Sequence, residues 1–286
     1  MSGREGERSV GAAPPRENVK RHSGLAYSVQ VKFEDYPAPV SPPRCAHPCE
    51  ECGLRRSPAF LAVSAAELDA IQSFRSGTRV VEAGGRIVGE DRPSAQLYTL
   101  YSGWAFRYKT LSDGRRQILS FLLPGDFIGL QDEFADGHTH GVEAVTGTTL
   151  CTFERDTLWE LFHTQPKLGY HITWLAAREE KLVDDNLVTA GRRNAGERVA
   201  MLLMHLYRRA ERAGMVRDGW AEFPFNQQHI ADALGLSLVH TNKTLRRLQR
   251  LGLYKLDSGW LRILEPHALE ALGDYFERPM LPAPLI

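Results

Sequence analysis

The stretch FNQQHIADALGLSLVHTNKTLRRLQRLG, Phe225 to Gly252, leaves the chain few structural options. Asn226 stands where a helix N-cap belongs, and Ile230, Ala233 and Leu234 space one apolar face of a short helix behind it. LGLS turns the chain through Gly235, and Ser237 caps a second helix with Thr241, Leu245 and Leu248 on its inner face. The outer face carries Val239, His240, Lys243, Arg246, Arg247 and Arg250. Two short helices joined by a tight glycine turn read as a helix-turn-helix. LYKL-DSG-WLRIL follows as a β-hairpin, the wing of a winged helix.

An α-helix fits the major groove of B-DNA, its N-terminal side chains reach base edges, and cations along its face meet phosphates. The chain is neutral overall, with 35 basic and 35 acidic residues, but that sum hides a bias. Ser237 to Leu251 holds Lys243, Arg246, Arg247 and Arg250 and no acid. Double-stranded DNA is therefore the expected partner, contacted through Ser237, Val239, His240, Asn242, Lys243, Arg246 and Arg247. The competing readings are a helical hairpin with a solvated basic face and a module that binds protein; salt-dependent DNA affinity separates them.

At 286 residues the chain has room for about two domains. With 43% hydrophobic residues it reads as folded, and no run approaches the ~20 apolar residues that span a bilayer. The N-terminus has no apolar signal-peptide core, so no membrane partner and a cytoplasmic location are expected. Residues 1–44 read as a disordered, proline-rich tail and 45–60 as a cysteine segment. A helix is expected over 61–76, with Leu61, Leu68, Ile71 and Phe74 on one face and Ser64 and Glu67 as a capping box. From Arg79 to Thr157 short β-rich runs alternate with turn pairs: Gly84-Gly85, Ser102-Gly103, Asp113-Gly114, Pro124-Gly125 and Asp136-Gly137. That texture predicts a β sandwich or barrel, closing a domain over 61–163.

A long helix over 164–193 follows, with Thr164 as cap, Pro166 in its first turn and Gly191 as stop. Leu168, Ile172, Leu175, Glu179, Leu182, Asn186 and Thr189 alternate by four and three. That spacing predicts a coiled-coil seam and a homodimer; packing on the chain's own β domain is the alternative. The last domain, 194–280, opens with a helix whose stripe is Val199, Leu202, Leu203 and Leu206, ended by Gly214.

CAHPCEEC bunches Cys45, Cys49 and Cys52 in a chain of four cysteines, the fourth being Cys151. In a reducing compartment such a cluster points to metal or redox chemistry rather than a structural disulfide. HTHGVE offers His138, His140 and Glu143, a pattern near the His-x-His and Glu of cupin metalloenzymes; exposed loop histidines are the plainer reading. No Ser/His/Asp set, phosphate-binding loop or dinucleotide fingerprint marks an enzyme.

With SGWAFRY, LPGDFIGL, the long helix, NAGERVA and IADALGLSLVHTNKTLRRLQRLGL in this order, residues 45 to 275 resemble the Crp/Fnr family of bacterial transcription regulators. The resemblance implies an α+β fold: an N-terminal β-roll sensor, a dimerisation helix and a C-terminal winged helix that binds a two-fold-symmetric site. It also implies RNA polymerase as a partner. The cyclic-nucleotide branch has a Glu after the glycine of GDFIG and an Arg-Ser/Thr pair further on. Here Leu130 and His140-Gly141 stand there, so cyclic AMP is not expected. The oxygen-sensing branch holds a 4Fe–4S cluster on N-terminal cysteines and one late-strand cysteine, which Cys151 in TTLCTF resembles. GLRRSPAF lacks the further cysteine of that branch, so four thiolates here would be Cys45, Cys49, Cys52 and Cys151; zinc, a thiol switch and an unligated segment remain the alternatives. Lys243 stands where many relatives carry Arg, and Val239 where they carry Glu, so a different preferred DNA site is expected.

Overall fold

A computed structural model describes residues 48–90, 94–133, 140–275 and 282–286. The tail over 1–44, Cys45, the Asp136-Gly137 turn and His138 lie outside the described residues. The architecture is α+β, as expected: a β-roll, a long helix and a winged helix-turn-helix.

Helix α1 (Ala65–Phe74) begins at the capping box: the Ser64 hydroxyl accepts the Glu67 N–H, and the Glu67 carboxylate accepts the Ser64 N–H. It is shorter than expected at both ends. Leu61 lies ahead of the cap, its N–H donating to the Ala283 carbonyl, and β1 (Arg75–Val81) starts directly after Phe74. One antiparallel sheet has the order β1-β8-β3-β6, with β3 Gln96–Ser102, β6 Phe127–Ile128 and β8 Thr148–Glu154. The other has the order β2-β7-β4-β5, with β2 Arg86–Val88, β4 Ala105–Thr110, β5 Arg116–Leu122 and β7 Gly141–Ala144. Val81, Leu100, Leu122, Ile128, Val142 and Leu150 pack between them. Gly125 needs its glycine twice: its φ is 95°, and a Cβ there would stand 2.3 Å from the Phe60 ring.

Helices α2 (Leu158–Thr164) and α3 (Pro166–Arg192) follow. Pro166 opens α3 as expected, but Thr164 does not cap it: the Thr164 hydroxyl donates to the Glu160 carbonyl inside α2, and Gln165 holds the cap position. Nor does Gly191 stop the helix, which runs to Arg192.

The larger correction concerns the seam. Leu168, Ile172 and Leu175 are buried against the chain's own Ile71, Phe74, Leu97, Phe127 and Phe153. Glu179 pairs with Arg107 on β4 at 3.0 Å, and the Asn186 amide donates to Leu119 O at 2.7 Å. The stripe read as a dimer seam therefore covers the β-roll. A heptad period says that a helix has an apolar face, not which surface meets it. The exposed side of α3 carries a second stripe with the same spacing: Thr173, Ala176, Glu180, Val183, Leu187 and Ala190.

Beyond α3, helix α4 (Ala195–Arg212) is capped by Asn194. Then come β9 (Val216–Arg217), β10 (Trp220–Glu222), α5 (Gln227–Leu234), α6 (Leu238–Arg250), β11 (Tyr254–Asp257), β12 (Trp260–Ile263) and α7 (Pro266–Gly273). The last four strands form one sheet in the order β11-β12-β10-β9. Its core is continuous with the outer face of the second β-roll sheet: Trp104, Phe106, Ile118 and Phe121 join Leu206, Phe223, Phe225, Leu245 and Leu248. Among the described residues, no helix is long and apolar enough to cross a membrane.

Candidate functional site

Helix α6 is fixed before it meets any partner. Ser237 Oγ accepts the His240 N–H, and Gly235 adopts the left-handed conformation (φ 62°) that closes α5. Thr241, Leu245 and Leu248 are buried as expected, and the buried Tyr254 hydroxyl donates to Leu245 O at 2.9 Å. In α5, Ala231 rather than Ala233 takes the fully buried place beside Ile230 and Leu234. Val239, His240, Lys243, Arg246, Arg247 and Arg250 are all exposed on the far side. Asn242 differs from the others: it is half-buried, and its Oδ1 is buried without a hydrogen-bond partner.

The wing adds cations that sequence reading missed. Lys255 pairs with Arg262 across β11 and β12, and their charged heads stand 5.5 and 5.8 Å from the centroid of the Trp220 ring. Ser258 (φ 50°) and Gly259 (φ 84°) make the tight turn between the strands. DSG flanked by two strands signalled the hairpin; what its cations would face was not legible.

The helix-turn-helix is tied to the β-roll by polar contacts as well as apolar ones. Arg116 reaches Asp232 at 3.4 Å, and Gln117 donates to Ala233 O at 3.1 Å. The Arg209 guanidinium of α4 donates to Phe121 O at 2.8 Å and pairs with buried Asp126, which Arg178 of α3 also engages at 3.0 Å. Burial opposes the charge on Asp126, but Arg209 and Arg178 outweigh it and hold the carboxyl below its usual range.

Cys49, Cys52 and Cys151 line one cavity, with Ile71, Arg75, Thr99, Phe153, Leu285 and Ile286. Cys49 sits in a short 3-10 turn (Cys49–Glu51) and Cys151 in β8, so the fold brings together thiols that the sequence holds far apart. Burial pushes the Cys49 thiol up, against hydrogen bonding by Arg75 and the charge of Arg55. Arg55 Nε and Nη1 are buried without hydrogen-bond partners.

The space does not suit a four-iron cluster. The cavity is about 20 Å³, room for about one water, and apolar side chains close it. Among the described residues, no three His, Cys, Asp or Glu side chains stand together as a metal site.

The positions compared with a cyclic-nucleotide pocket are filled as well. A Cβ on Gly141 would lie 2.5 Å from the Tyr108 ring, which leaves no room for the side chain a phosphate site needs there. His140 is buried, not an exposed loop histidine, and burial with nearby Arg107 and Lys109 pushes it down to about 4. Glu143 bonds Arg116 at 3.3 Å. Cationic neighbours around both residues oppose a metal ion at this place.

Residues 78–165 match the family described as the Cyclic nucleotide-binding domain, and residues 197–272 match the Crp-like helix-turn-helix domain. The chain is 33% identical over 228 residues to the nitrogen fixation regulation protein FixK of Bradyrhizobium diazoefficiens, covering 79% of this chain and 94% of that one. It is 26% identical over 238 residues to the transcriptional activator protein FnrL of Cereibacter sphaeroides, covering 81% of this chain and 94% of that one. Among solved structures it resembles FixK2 from Bradyrhizobium japonicum, with a TM-score of 0.63 and 29% identity, covering 68% of this chain and 96% of that one.

Proposed function

The chain belongs to the Crp/Fnr family of DNA-binding transcription regulators, and from that premise we propose that it reads a two-fold-symmetric DNA site as a homodimer. The observation that carries the reading is the outer face of α6, where four cations and no acid stand on a helix locked from behind. Ser237 and the helix N-terminus face phosphate, Val239, His240 and Lys243 face base edges, and Arg246 and Arg247 follow the backbone. Asn242 joins this set only if its inward amide turns out. The organisation proposed is a cysteine segment (45–60), a sensor (61–163), a dimerisation helix (164–193) and a DNA-binding domain (194–280), acting in the cytoplasm with RNA polymerase as a further partner.

The second stripe on α3 is the proposed seam. Val183 and Leu187 are 44% and 70% exposed, and beside them an apolar groove of about 620 Å³ runs past Leu130, Leu158, Trp159 and Phe162. A second copy of α3 covers such a groove, and dimerisation sets the two reading helices about one DNA turn, ~34 Å, apart. Leu187→Glu should give monomers by sedimentation and lose specific DNA binding together; dimers at micromolar concentration would refute the seam.

The reading extends to oxygen or redox state through the cysteine pocket. Its support is the meeting of Cys49, Cys52 and Cys151 in one cavity. Because that cavity does not fit a cluster, the redox reading rests on the thiols themselves. Neither cyclic AMP nor a cupin-like catalytic metal has support from Gly141, His140 or Glu143. Purification without oxygen, with an absorbance spectrum, iron and sulfide assays and DNA titrations before and after air, tests this. Equal DNA binding in both states removes the redox reading and leaves the regulator; iron and sulfide at cluster stoichiometry overturn the misfit.

A further inference from the structure

Segment 282–286 returns to the β-roll and to the stretch just ahead of it. Ala283 forms a parallel bridge with Phe60: its N–H donates to Ala59 O at 2.8 Å, and its carbonyl accepts the Leu61 N–H at 2.8 Å. Thr99 Oγ1 donates to Ile286 O at 2.7 Å in a buried bond. Leu285 and Ile286 are 3% and 4% exposed, and both line the cavity that Cys49, Cys52 and Cys151 share. The segment is therefore seated by backbone pairing, by a buried side-chain bond and by two aliphatic side chains, all on the sensor.

We propose that 282–286 is a built-in plug over a reactive thiol site, and that docking of the plug and modification of the thiols exclude one another. Docked, the plug keeps Cys49 and Cys151 from small electrophiles. Withdrawn, it exposes a pocket in which Arg55 and Arg75 flank Cys49. With Leu285 and Ile286 gone from the cavity wall, the Cys49 and Cys151 sulfurs are open to electrophiles. Arg55 Nε and Nη1, buried without hydrogen-bond partners, lie at the same pocket. An adduct on sulfur then occupies the space of Leu285 and Ile286 and bars their return. Leu285 and Ile286 are also part of why the cavity beside Cys49, Cys52 and Cys151 is small.

The test is thiol access in the full-length chain, Ile286→Asp, and a chain ending at residue 281, using iodoacetamide with the modified positions mapped by mass spectrometry. In this reaction the thiolate sulfur bonds to the carbon that carries iodine, iodide leaves, and the thiol proton goes to solvent. Cys49 and Cys151 should react at least about tenfold faster in the shortened chain, with Ile286→Asp in between. Equal rates in all three overturn the proposal. Should the shortened chain fail to fold, the full-length protein still decides. After alkylation of Cys49, hydrogen exchange at the Leu61 and Ala283 amides should lose its protection while α1 keeps its own. Retained protection at both amides on alkylated protein refutes the plug. Neither readout uses DNA affinity, so failure of the redox reading and failure of the plug are distinguishable.

Discussion

Helix α6 and the cysteine pocket put opposite faces of the same physics to use. On α6 the apolar residues point inward and the charges outward, so its chemistry is already displayed to a partner. In the pocket the reactive groups point inward and apolar side chains from α1, β8 and segment 282–286 seal them. A surface site needs only a helix held from behind. An interior site needs several distant segments to arrive.

The strongest way to break this contrast is to separate the two regions. Asp126→Ala strands Arg209 and Arg178 without their shared carboxylate, which should cost about 3–5 kcal/mol in urea unfolding. The β-roll and winged helix should then unfold at different denaturant concentrations; one coincident transition would show that apolar packing alone couples them.

Acid tests the interior side. Burial with Arg107 and Lys109 holds His140 at about 4, and burial with Arg209 and Arg178 holds His205 at about 3, both below the ordinary 6.5. The unfolded chain takes up these protons near its ordinary pKa while the folded chain does not. Stability should therefore be nearly full above about pH 7.5 and fall by about 2 kcal/mol for each histidine by pH 5. His205→Leu should flatten that slope in melts taken between pH 7 and 5; an unchanged slope would remove His205 from the account.

The surface side is tested by titration. Lys243→Ala should cost about 1–3 kcal/mol of specific DNA affinity in gel shifts and leave salt-sensitive nonspecific binding in place. Undiminished specific affinity would dismiss α6 as the reader. Ser237→Ala removes the acceptor of the His240 N–H and should cost about 1 kcal/mol of stability by thermal melting. The smallest effect belongs to the wing: Lys255→Ala should lower the salt slope of DNA binding by about one while sequence preference stays as it was.

How much was legible differs between these places for a stated reason. The helix-turn-helix could be read because caps, a glycine turn and a 3.6-residue period are local instructions, satisfied within some twenty residues. The stripe Leu168 to Thr189 was legible as a face but not as an address. Arg107 and Leu119 lie on strands far away in sequence, and only their arrival shows that Glu179 and Asn186 are occupied within the chain. The cation pair Lys255 and Arg262 needed strand register before it became a pair. Segment 282–286 carries the apolar run APLI, but nothing nearby in sequence can receive it.

The sequence alone determined a helix that displays cations, a β-roll ahead of it and three cysteines with no local reason to be there. Those features depend on near neighbours and on side-chain periodicity, which the chain carries wherever it goes. Only the tertiary structure decided which stripe of α3 is left for a partner, that Cys151 joins Cys49 and Cys52, and that Leu285 and Ile286 close the space between them. Those are contacts between segments far apart in the chain. They exist because strand pairing and burial bring the segments together, and no spacing along the sequence encodes them.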